Sequence, residues 1–410
     1  MPALTLDVLN DAVAHGAAIR ANLRLQPAAG PGTKVFPPTY VSENGDRDYH
    51  GTRYAMETRR IDGQDVECVL LDSVASQANR MEEALLDGWD DEALSFPVVV
   101  CDFAQADDAL EAKVGRITTL DAPHRIYDAI FRDSTDGDGT LFRYTEAGQR
   151  ITHATRRDAS ALFTYCPTAL VFGCWDSTGP KGGLGSKFPR ALSSEVVAVG
   201  ARTGTRVGGR LDPLGIIKKA GPLNEVKGQE RWEFQGKGKA LNPSDINHGN
   251  VAPSRSKENG GVTFDYAQQT TVLSLPALRR LRFATTTNGQ PVGDRKQANQ
   301  AARTALAALG VAAIVTSYRE GHDLRSGTLL VGDGPLELEV VGATGEVSGS
   351  FTLDAAAASK LLAEAAAQAQ AAGLVWKRQP MPALTPAPKL VALLKRSQEL
   401  EATAPANEEG

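Results

Sequence analysis

The stretch from Val66 to Leu85 constrains the fold of this chain more than any other. Its first six residues, Val66 to Leu71, form an apolar run that is typical of a buried strand. Asp72 and Ser73 follow, and a short side-chain oxygen at either position can accept a free backbone N–H and begin a helix. The sequence therefore predicts a strand at 66–71 that leads directly into a helix at 73–87.

The first two turns of this helix are rich in hydrogen-bonding side chains, namely Ser76, Gln77, Asn79 and Arg80. Their hydroxyl, amide and guanidinium groups suit phosphate and ribose oxygens, and the set contains no nucleophile–base pair. Binding of a sugar–phosphate backbone is therefore one interpretation of the four residues. A solvated helix face is the alternative.

Charge is segregated along the chain, although the net charge is only −5. Residues 61–111 hold fourteen Asp and Glu against one Arg, whereas residues 177–257 hold fourteen Lys and Arg against six acids. Basic segments can form a track for a polyanion even in an acidic protein. The acidic segment of one copy can also meet the basic segment of the next, which favours a head-to-tail assembly.

A basic, glycine-rich region extends from Gly179 to Arg210. Glycine lets a backbone approach a phosphate closely, and the cations neutralise its charge. A solvated flexible loop is the alternative. The candidate phosphate contacts here are Lys181, Lys187, Arg190, Arg202, Arg206 and Arg210.

Lys34, Phe36 and Tyr40 surround a stiff Pro-Pro element and join a cation to two aromatic rings. Such rings can stack on bases. They can equally anchor a loop by packing onto the core.

Strand and helix signals alternate, which predicts an α/β or α+β sheet domain. We expect a single domain over 1–396, with a finger-like loop at 27–60, an inserted loop or β-hairpin at 202–260, and a disordered acidic tail at 397–410.

Other elements are predicted from periodicity. Residues 5–25 and 354–372 indicate helices, and residues 168–175 and 311–317 indicate strands. A helix over 295–309 is expected to end at Gly310.

Most catalytic and metal-binding patterns find little support. Cys174 lacks the second cysteine that a papain-like site requires, and the four cysteines are too scattered for a zinc ribbon. The acids of residues 82–91 lie in one run, whereas a two-metal nuclease needs carboxylates from separate elements. His124 has no catalytic partner near it in sequence. The apolar runs are too short to span a membrane, and we expect a cytoplasmic location.

The strand–DS–SQANR–E arrangement at residues 66–82 resembles the backbone subunit of type I-G (formerly I-U) CRISPR surveillance complexes, a member of the RAMP superfamily. The resemblance covers roughly residues 20 to 375, and the order of its motifs is that of the family. The further matching stretches are 122–134, 172–177, 190–195 and 210–214.

This resemblance implies an RRM-like (ferredoxin-like) palm with long finger and thumb insertions and a C-terminal helix. It implies that Arg125 and Arg132 contact the RNA backbone or brace the palm, and that Phe36 and Tyr40 wedge between or stack on bases. The aromatic pattern of an ordinary RRM is absent, which favours a mode that holds the backbone.

The function expected is non-enzymatic: a CRISPR RNA-binding subunit that oligomerises along the guide and presents it to a target DNA strand in antiviral defence. The partners implied are other copies of the chain, a large subunit that reads the target's flanking motif, a subunit that processes and caps the guide, and a recruited helicase-nuclease. We expect no cofactor or metal. The alternatives are a metal-dependent endoribonuclease of the same superfamily and an unrelated soluble scaffold.

Overall fold

A curled antiparallel sheet of nine strands organises the protein. Seven strands follow the order β18 (His322–Arg325), β19 (Thr328–Gly332), β1 (Ala18–Pro27), β17 (Tyr266–Ser274), β9 (Leu192–Val199), β3 (Gln64–Asp72) and β2 (Met56–Ile61), while β20 (Leu338–Val341) pairs with β1 and β21 (Val347–Phe351) pairs with β20. The computed structural model describes residues 1–40, 52–104, 106, 113–179, 185–226, 232–234, 238–284 and 290–403. The α+β class and the C-terminal helix expected from the sequence are confirmed, and the sheet is compatible with an RRM-like palm.

The α-helices are α1 (Leu6–His15), α2 (Val74–Asp90), α3 (Ala129–Arg132), α4 (Glu146–Thr152), α5 (Ser160–Tyr165), α6 (Thr168–Phe172), α7 (Leu275–Arg279), α8 (Arg295–Glu320), α9 (Ala355–Ala371) and α10 (Pro388–Thr403). The strands are β1 (Ala18–Pro27), β2 (Met56–Ile61), β3 (Gln64–Asp72), β4 (Val100–Asp102), β5 (Arg116–Thr118), β6 (Ser134–Thr135), β7 (Cys174–Trp175), β8 (Lys187–Phe188), β9 (Leu192–Val199), β10 (Arg202–Thr203), β11 (Arg206–Arg210), β12 (Leu223–Glu225), β13 (Trp232–Glu233), β14 (Ala240–Leu241), β15 (Val251–Ser256), β16 (Val262–Thr263), β17 (Tyr266–Ser274), β18 (His322–Arg325), β19 (Thr328–Gly332), β20 (Leu338–Val341), β21 (Val347–Phe351) and β22 (Thr385–Pro386). Short 3-10 helices lie at Arg125–Tyr127, Phe142–Tyr144, Lys218–Ala220 and Pro243–Ile246.

The helix predicted over residues 5–25 is only partly correct. Helix α1 ends at His15, and β1 begins at Ala18. From Ile19 to Leu25 every second side chain is buried, which is the period of a strand that is covered on one face. This alternation overrides the weaker helical periodicity around it.

Helix α8 is longer than predicted, and the strand predicted at 311–317 is wrong because those residues continue the helix. Gly310 does not stop it. A Cβ at Gly310 would lie 3.1 Å from the Leu273 side chain, so this glycine lets α8 approach β17 closely. The helix is long and apolar enough to cross a membrane, but 83% of its apolar window is buried within the fold. An apolar run buried on all sides has no period that separates helix from strand.

The central strand predicted at 168–175 is also wrong, because Thr168–Phe172 is a fully buried helical turn followed by the short strand β7. Gly173 joins the two with a positive φ of 84°, a conformation that glycine adopts without strain.

The inner face of the sheet carries two hydrophobic cores. The larger one packs α1, α2, α8 and α9 onto residues such as Ile19, Ala21 and Leu273. Among the described residues, the one helical side chain that packs against the second core is Tyr318, at the end of α8. Its members are Leu23, Leu25, Val35, Tyr54, Met56, Val69, Leu71, Val196, Ala198, Ala201, Val262, Phe264, Ala267, Leu324 and Leu330. Strands β3 and β18–β19 stand far apart in the sheet order yet share this second core, so the sheet curls over it.

Residues 202–260 form a chain of short antiparallel pairs. Strand β10 pairs with β16, β11 with β15, and β12 with both β13 and β14. All six residues of β15 are exposed. Several large apolar side chains are exposed here as well, among them Val207, Leu211 and Phe234.

Two predicted boundaries change. In the segment 27–60, Val35 and Tyr54 are buried in the second core, β2 begins at Met56, and residues 41–51 lie outside the described part of the chain. Helix α10 continues to Thr403, so the tail predicted from residue 397 does not begin there; residues 404–410 lie outside the described residues.

Candidate nucleic-acid interface

A belt of buried polar side chains separates the two cores, and Asp72 stands at its centre. This carboxylate, at the end of β3, is fully buried. Its Oδ2 accepts hydrogen bonds from Gln77 Nε2 at 2.7 Å and from Arg80 Nε at 3.0 Å. Its Oδ1 accepts one from Arg325 Nη2 at 3.4 Å. One carboxylate therefore serves two guanidinium groups.

The belt continues across the sheet through neutral groups. Ser194 Oγ and Gln269 Nε2 donate to Gln77 Oε1 at 3.0 and 2.7 Å. Ser194 also lies 2.8 Å from the Thr271 hydroxyl. Both the nitrogen and the oxygen of the Gln77 amide are thus hydrogen-bonded inside the protein, with 2% of the residue exposed.

His322 closes the belt at its far end, with Nε2 3.0 Å from Gln269 Oε1. Burial, together with repulsion from Arg80, lowers the pKa of His322 to about 4. The imidazole is therefore neutral near pH 7 and donates to the amide oxygen.

The four side chains of α2 that were predicted to contact RNA differ in their burial and in their hydrogen-bond partners. Gln77 belongs to the belt, and Arg80 uses all three nitrogens internally, on Asp72 and on the carbonyls of Asp323 and Leu324. The RNA-contact role predicted for Gln77 is therefore corrected to a positioning role, because its amide is buried and both its nitrogen and its oxygen have partners within the fold. Ser76 is half-buried and Asn79 is exposed.

Asn79 faces an acidic surface. It lines a cavity of about 270 Å³ whose other polar walls include Glu82, Glu83 and Asp121. Negatively charged carboxylates repel a phosphate, so this side of α2 is unsuited to a polyanion.

Arg125 is buried against Glu82, with Nε and Nη2 donating to the carboxylate at 2.6 and 2.5 Å and Nη1 donating to the Gly173 carbonyl at 2.9 Å. The residue is 8% exposed. Of the two roles predicted for it, bracing the fold fits this geometry and RNA contact does not.

Two more predicted arginines are partly used within the fold. Arg190 donates to the carbonyls of Phe172 and Val74 at 3.2 and 2.8 Å. Arg132 forms a bidentate pair with Asp133. Both side chains are half-buried, so each retains some access to solvent.

The segment from Lys34 to Tyr40 lies over the second core. Lys34 Nζ donates to the Thr205 carbonyl at 2.9 Å and thereby fastens the base of the 202–260 insertion. Phe36 and Tyr40 keep 36% and 44% of their surface exposed, which leaves ring faces available for stacking.

The remaining cations that were predicted to contact phosphate differ in solvent exposure. Lys187 is exposed and lies 4.8 Å from the centre of the Trp175 ring. Arg202 and Arg206 are exposed and form no ion pair with any described residue. Arg210 is held by the carbonyls of His248 and Gly249. Lys181 lies outside the described residues.

Backbone and side-chain contacts bring several of these residues together with two that sequence reasoning missed, Arg53 and Arg325. Tyr40 N donates to the Arg53 carbonyl at 2.9 Å, and Arg325 is electrostatically coupled to both Tyr40 and Asp72. We call this group the basic edge. Its members are Lys34, Phe36, Tyr40, Arg53, Arg202, Arg206 and Arg325.

The signal for Arg325 was present in the sequence. Ser326-Gly327 lies between short runs that a hairpin turn can join, followed by the apolar residues Leu329 to Val331. The prediction of a strand at 311–317 left the β18–β19 hairpin out.

The basic edge can hold a polyanion by charge and bases by stacking. Among the described residues, no group of three or more His, Cys, Asp or Glu side chains could hold a metal ion.

Replacing Asp72 by Ala should lower the free energy of unfolding by about 3 kcal/mol, because it leaves two guanidinium groups and the Gln77 amide without their acceptor. Urea unfolding followed by circular dichroism measures the loss. Asp87→Ala, on the exposed side of the same helix, is the matched control and should change stability by no more than about 0.5 kcal/mol. Equal losses in the two variants would contradict a central role for Asp72.

His322 predicts a loss of stability in mild acid. Its pKa is about 4 in the folded protein and 6.5 in the unfolded chain. Below pH 6.5 only the unfolded state takes up this proton, so stability falls by about 1.4 kcal/mol per pH unit until the folded pKa is reached.

Between pH 7 and pH 5, wild-type protein should therefore lose about 2 kcal/mol that His322→Gln does not lose. Unfolding curves at both pH values measure the difference. His124→Gln removes an exposed histidine and should retain the wild-type loss. An unchanged pH dependence in His322→Gln would refute the assignment.

Nearly half of the chain is similar to a known protein family. Residues 19–203 match the family described as CRISPR-associated protein GSU0053 (Cas_GSU0053). No curated protein matches the chain. The family match spans β1 to β10, which includes Asp72, the whole of α2 and the Arg125–Glu82 pair. Over this region the chain is similar to a CRISPR-associated family, which supports a role in CRISPR defence.

Proposed function

We propose that this protein is a non-enzymatic backbone subunit of a CRISPR surveillance complex of type I-G, which binds the guide RNA along its sugar–phosphate chain. The observation that carries the proposal is the basic edge, where exposed cations and half-exposed aromatic rings from four chain segments gather beside the second core. The similarity to a CRISPR-associated family supplies the biological context.

The mode of binding follows from the side chains available. Arg202 and Arg206 are exposed cations on β10 and β11, and Phe36 and Tyr40 offer ring faces. Phosphate contacts carry no sequence information, and stacking tolerates every base. The guide would thus be held regardless of its sequence, and base pairing with the target DNA strand would supply specificity.

Assembly of several copies along one guide is part of the proposal. The acids at the end of α2 and in the turn after it are exposed, among them Glu83, Asp87, Asp91 and Glu92. They complement the exposed cations of the insertion in sign, and such complementarity favours a head-to-tail contact between copies. The further proposed partners are a large subunit that reads the flanking motif, a guide-processing and capping subunit, and a recruited helicase-nuclease.

Co-expression with a CRISPR array and the neighbouring genes tests the proposal. Size-exclusion chromatography with absorbance at 260 and 280 nm should give a large particle that contains RNA of guide length. An RNA-free monomer under every condition would contradict it. Cleavage of RNA by the pure protein that is abolished by EDTA would favour a metal-dependent endoribonuclease instead.

The double variant Arg202→Gln, Arg206→Gln should bind guide RNA more weakly, and the loss should be similar for unrelated guide sequences. Removing two phosphate contacts should reduce the slope of log affinity against log salt by about 1.4 for single-stranded RNA. Electrophoretic mobility shifts at several salt concentrations measure both quantities.

Lys360→Gln with Arg396→Gln is the charge-matched control, because both side chains are exposed on the helices α9 and α10, away from the basic edge. The control should keep the wild-type affinity and slope. A sequence-selective loss in the Arg202, Arg206 variant would indicate base readout and argue against backbone binding.

A further inference from the structure

Arg325 shares its carboxylate partner with a second arginine, Arg80. The single carboxylate of Asp72 is shared by two guanidinium groups, so the cluster keeps one net positive charge at a half-buried site. Each nitrogen of Arg80 has an internal acceptor, whereas the one hydrogen bond of Arg325 within the described part of the chain is the 3.4 Å contact through Nη2. Its Nη1 is buried and has no hydrogen-bond partner among the described residues. A buried charged donor without an acceptor is costly, and an anion at the exposed 27% of the side chain would offset part of that cost.

The backbone aims this side chain. Strand β18 pairs with β19 with a shift in register between Asp323 and Arg325. Bulges of this kind change the direction of a side chain and occur often at functional sites. Here the irregularity brings Arg325 over the inner face of the sheet, to Asp72 at the end of β3.

The hairpin turn is fixed to the aromatic segment. Phe36 N donates to Thr328 Oγ1 at 3.1 Å, and that hydroxyl donates to the Phe36 carbonyl at 2.6 Å. The Phe36 ring packs where Gly327 has no side chain, since a Cβ there would lie 2.8 Å from the ring. The turn that follows Arg325 and the half-exposed ring of Phe36 are therefore held against each other.

We propose that Arg325 binds a phosphodiester of the RNA backbone, with Asp72 as the group that positions its guanidinium. Arg325 keeps 27% of its side chain exposed, so the charged guanidinium can receive a phosphate oxygen there, and the neighbouring rings suit the bases on either side. The inference rests on the proposed RNA-binding function and adds a contact that lies outside residues 19–203, the part similar to the CRISPR-associated family.

The test compares Arg325→Gln with wild-type protein and with Arg396→Gln, which removes one exposed arginine from α10. Guide-length RNA is titrated at several salt concentrations. Arg325→Gln should bind about tenfold more weakly, with a salt slope reduced by about 0.7. Arg325→Lys should keep the wild-type slope but bind more weakly than wild type, because it keeps the charge and loses the planar fork. Arg396→Gln should match wild type.

A second measurement on wild-type protein does not depend on how the variants fold. Arginines are modified with a dicarbonyl reagent with and without RNA, and the products are identified by mass spectrometry. RNA should protect Arg325 and leave Arg396 reactive. Equal modification of Arg325 in both samples, or a folded Arg325→Gln with wild-type affinity and slope, would overturn the inference while the proposed function stands. Failure of wild-type protein to bind RNA would overturn both.

Discussion

The buried carboxylate of Asp72 is the interaction on which the rest of the structure depends. It ends β3, near one edge of the sheet order, and receives Arg325 from β18, at the opposite edge. It also receives Gln77 and Arg80 from α2, which starts two residues later. The curl of the sheet, the entry into α2 and the placement of the β18–β19 hairpin are therefore fixed by one side chain. The position of Arg325 in the basic edge therefore depends on Asp72.

A polar belt between two hydrophobic cores has a cost and a benefit. Burying these groups requires that each one finds partners. Ser194 and Gln269 supply them for Gln77, while Thr271 bonds to Ser194 and His322 bonds to Gln269. A shift of any strand by one residue would turn these side chains to the other face and leave the network unsatisfied. The belt therefore specifies the register of β9, β17 and β18 more strongly than apolar packing alone could.

The local part of this arrangement could be predicted from the sequence, and the long-range part could not. The strand before Asp72, the cap at Ser73 and helix α2 follow from residues close in the chain, and the structure agrees. Apart from Asp72, the partners of Gln77 and Arg80 lie 117 to 244 residues away, so the sequence around α2 does not show that these side chains are bonded within the fold. Arg125 was ambiguous for the same reason, since its partner Glu82 lies 43 residues before it. Helix α8 was misjudged because a fully buried apolar run has no exposed face to mark its period. The contact roles of the accessible cations remain predictions.

The insertion over residues 202–260 is fastened at its base. Val35 and Val262 exchange backbone hydrogen bonds at 2.9 and 2.8 Å, Gly204 N donates to the Gly261 carbonyl at 2.8 Å, and Lys34 Nζ reaches Thr205. Beyond this point β15 is exposed along its whole length. The described part of the insertion is thus attached to the sheet through the same segment that carries Phe36 and Tyr40. The direction in which β11 and β15 project from the sheet is therefore tied to the position of the two aromatic rings.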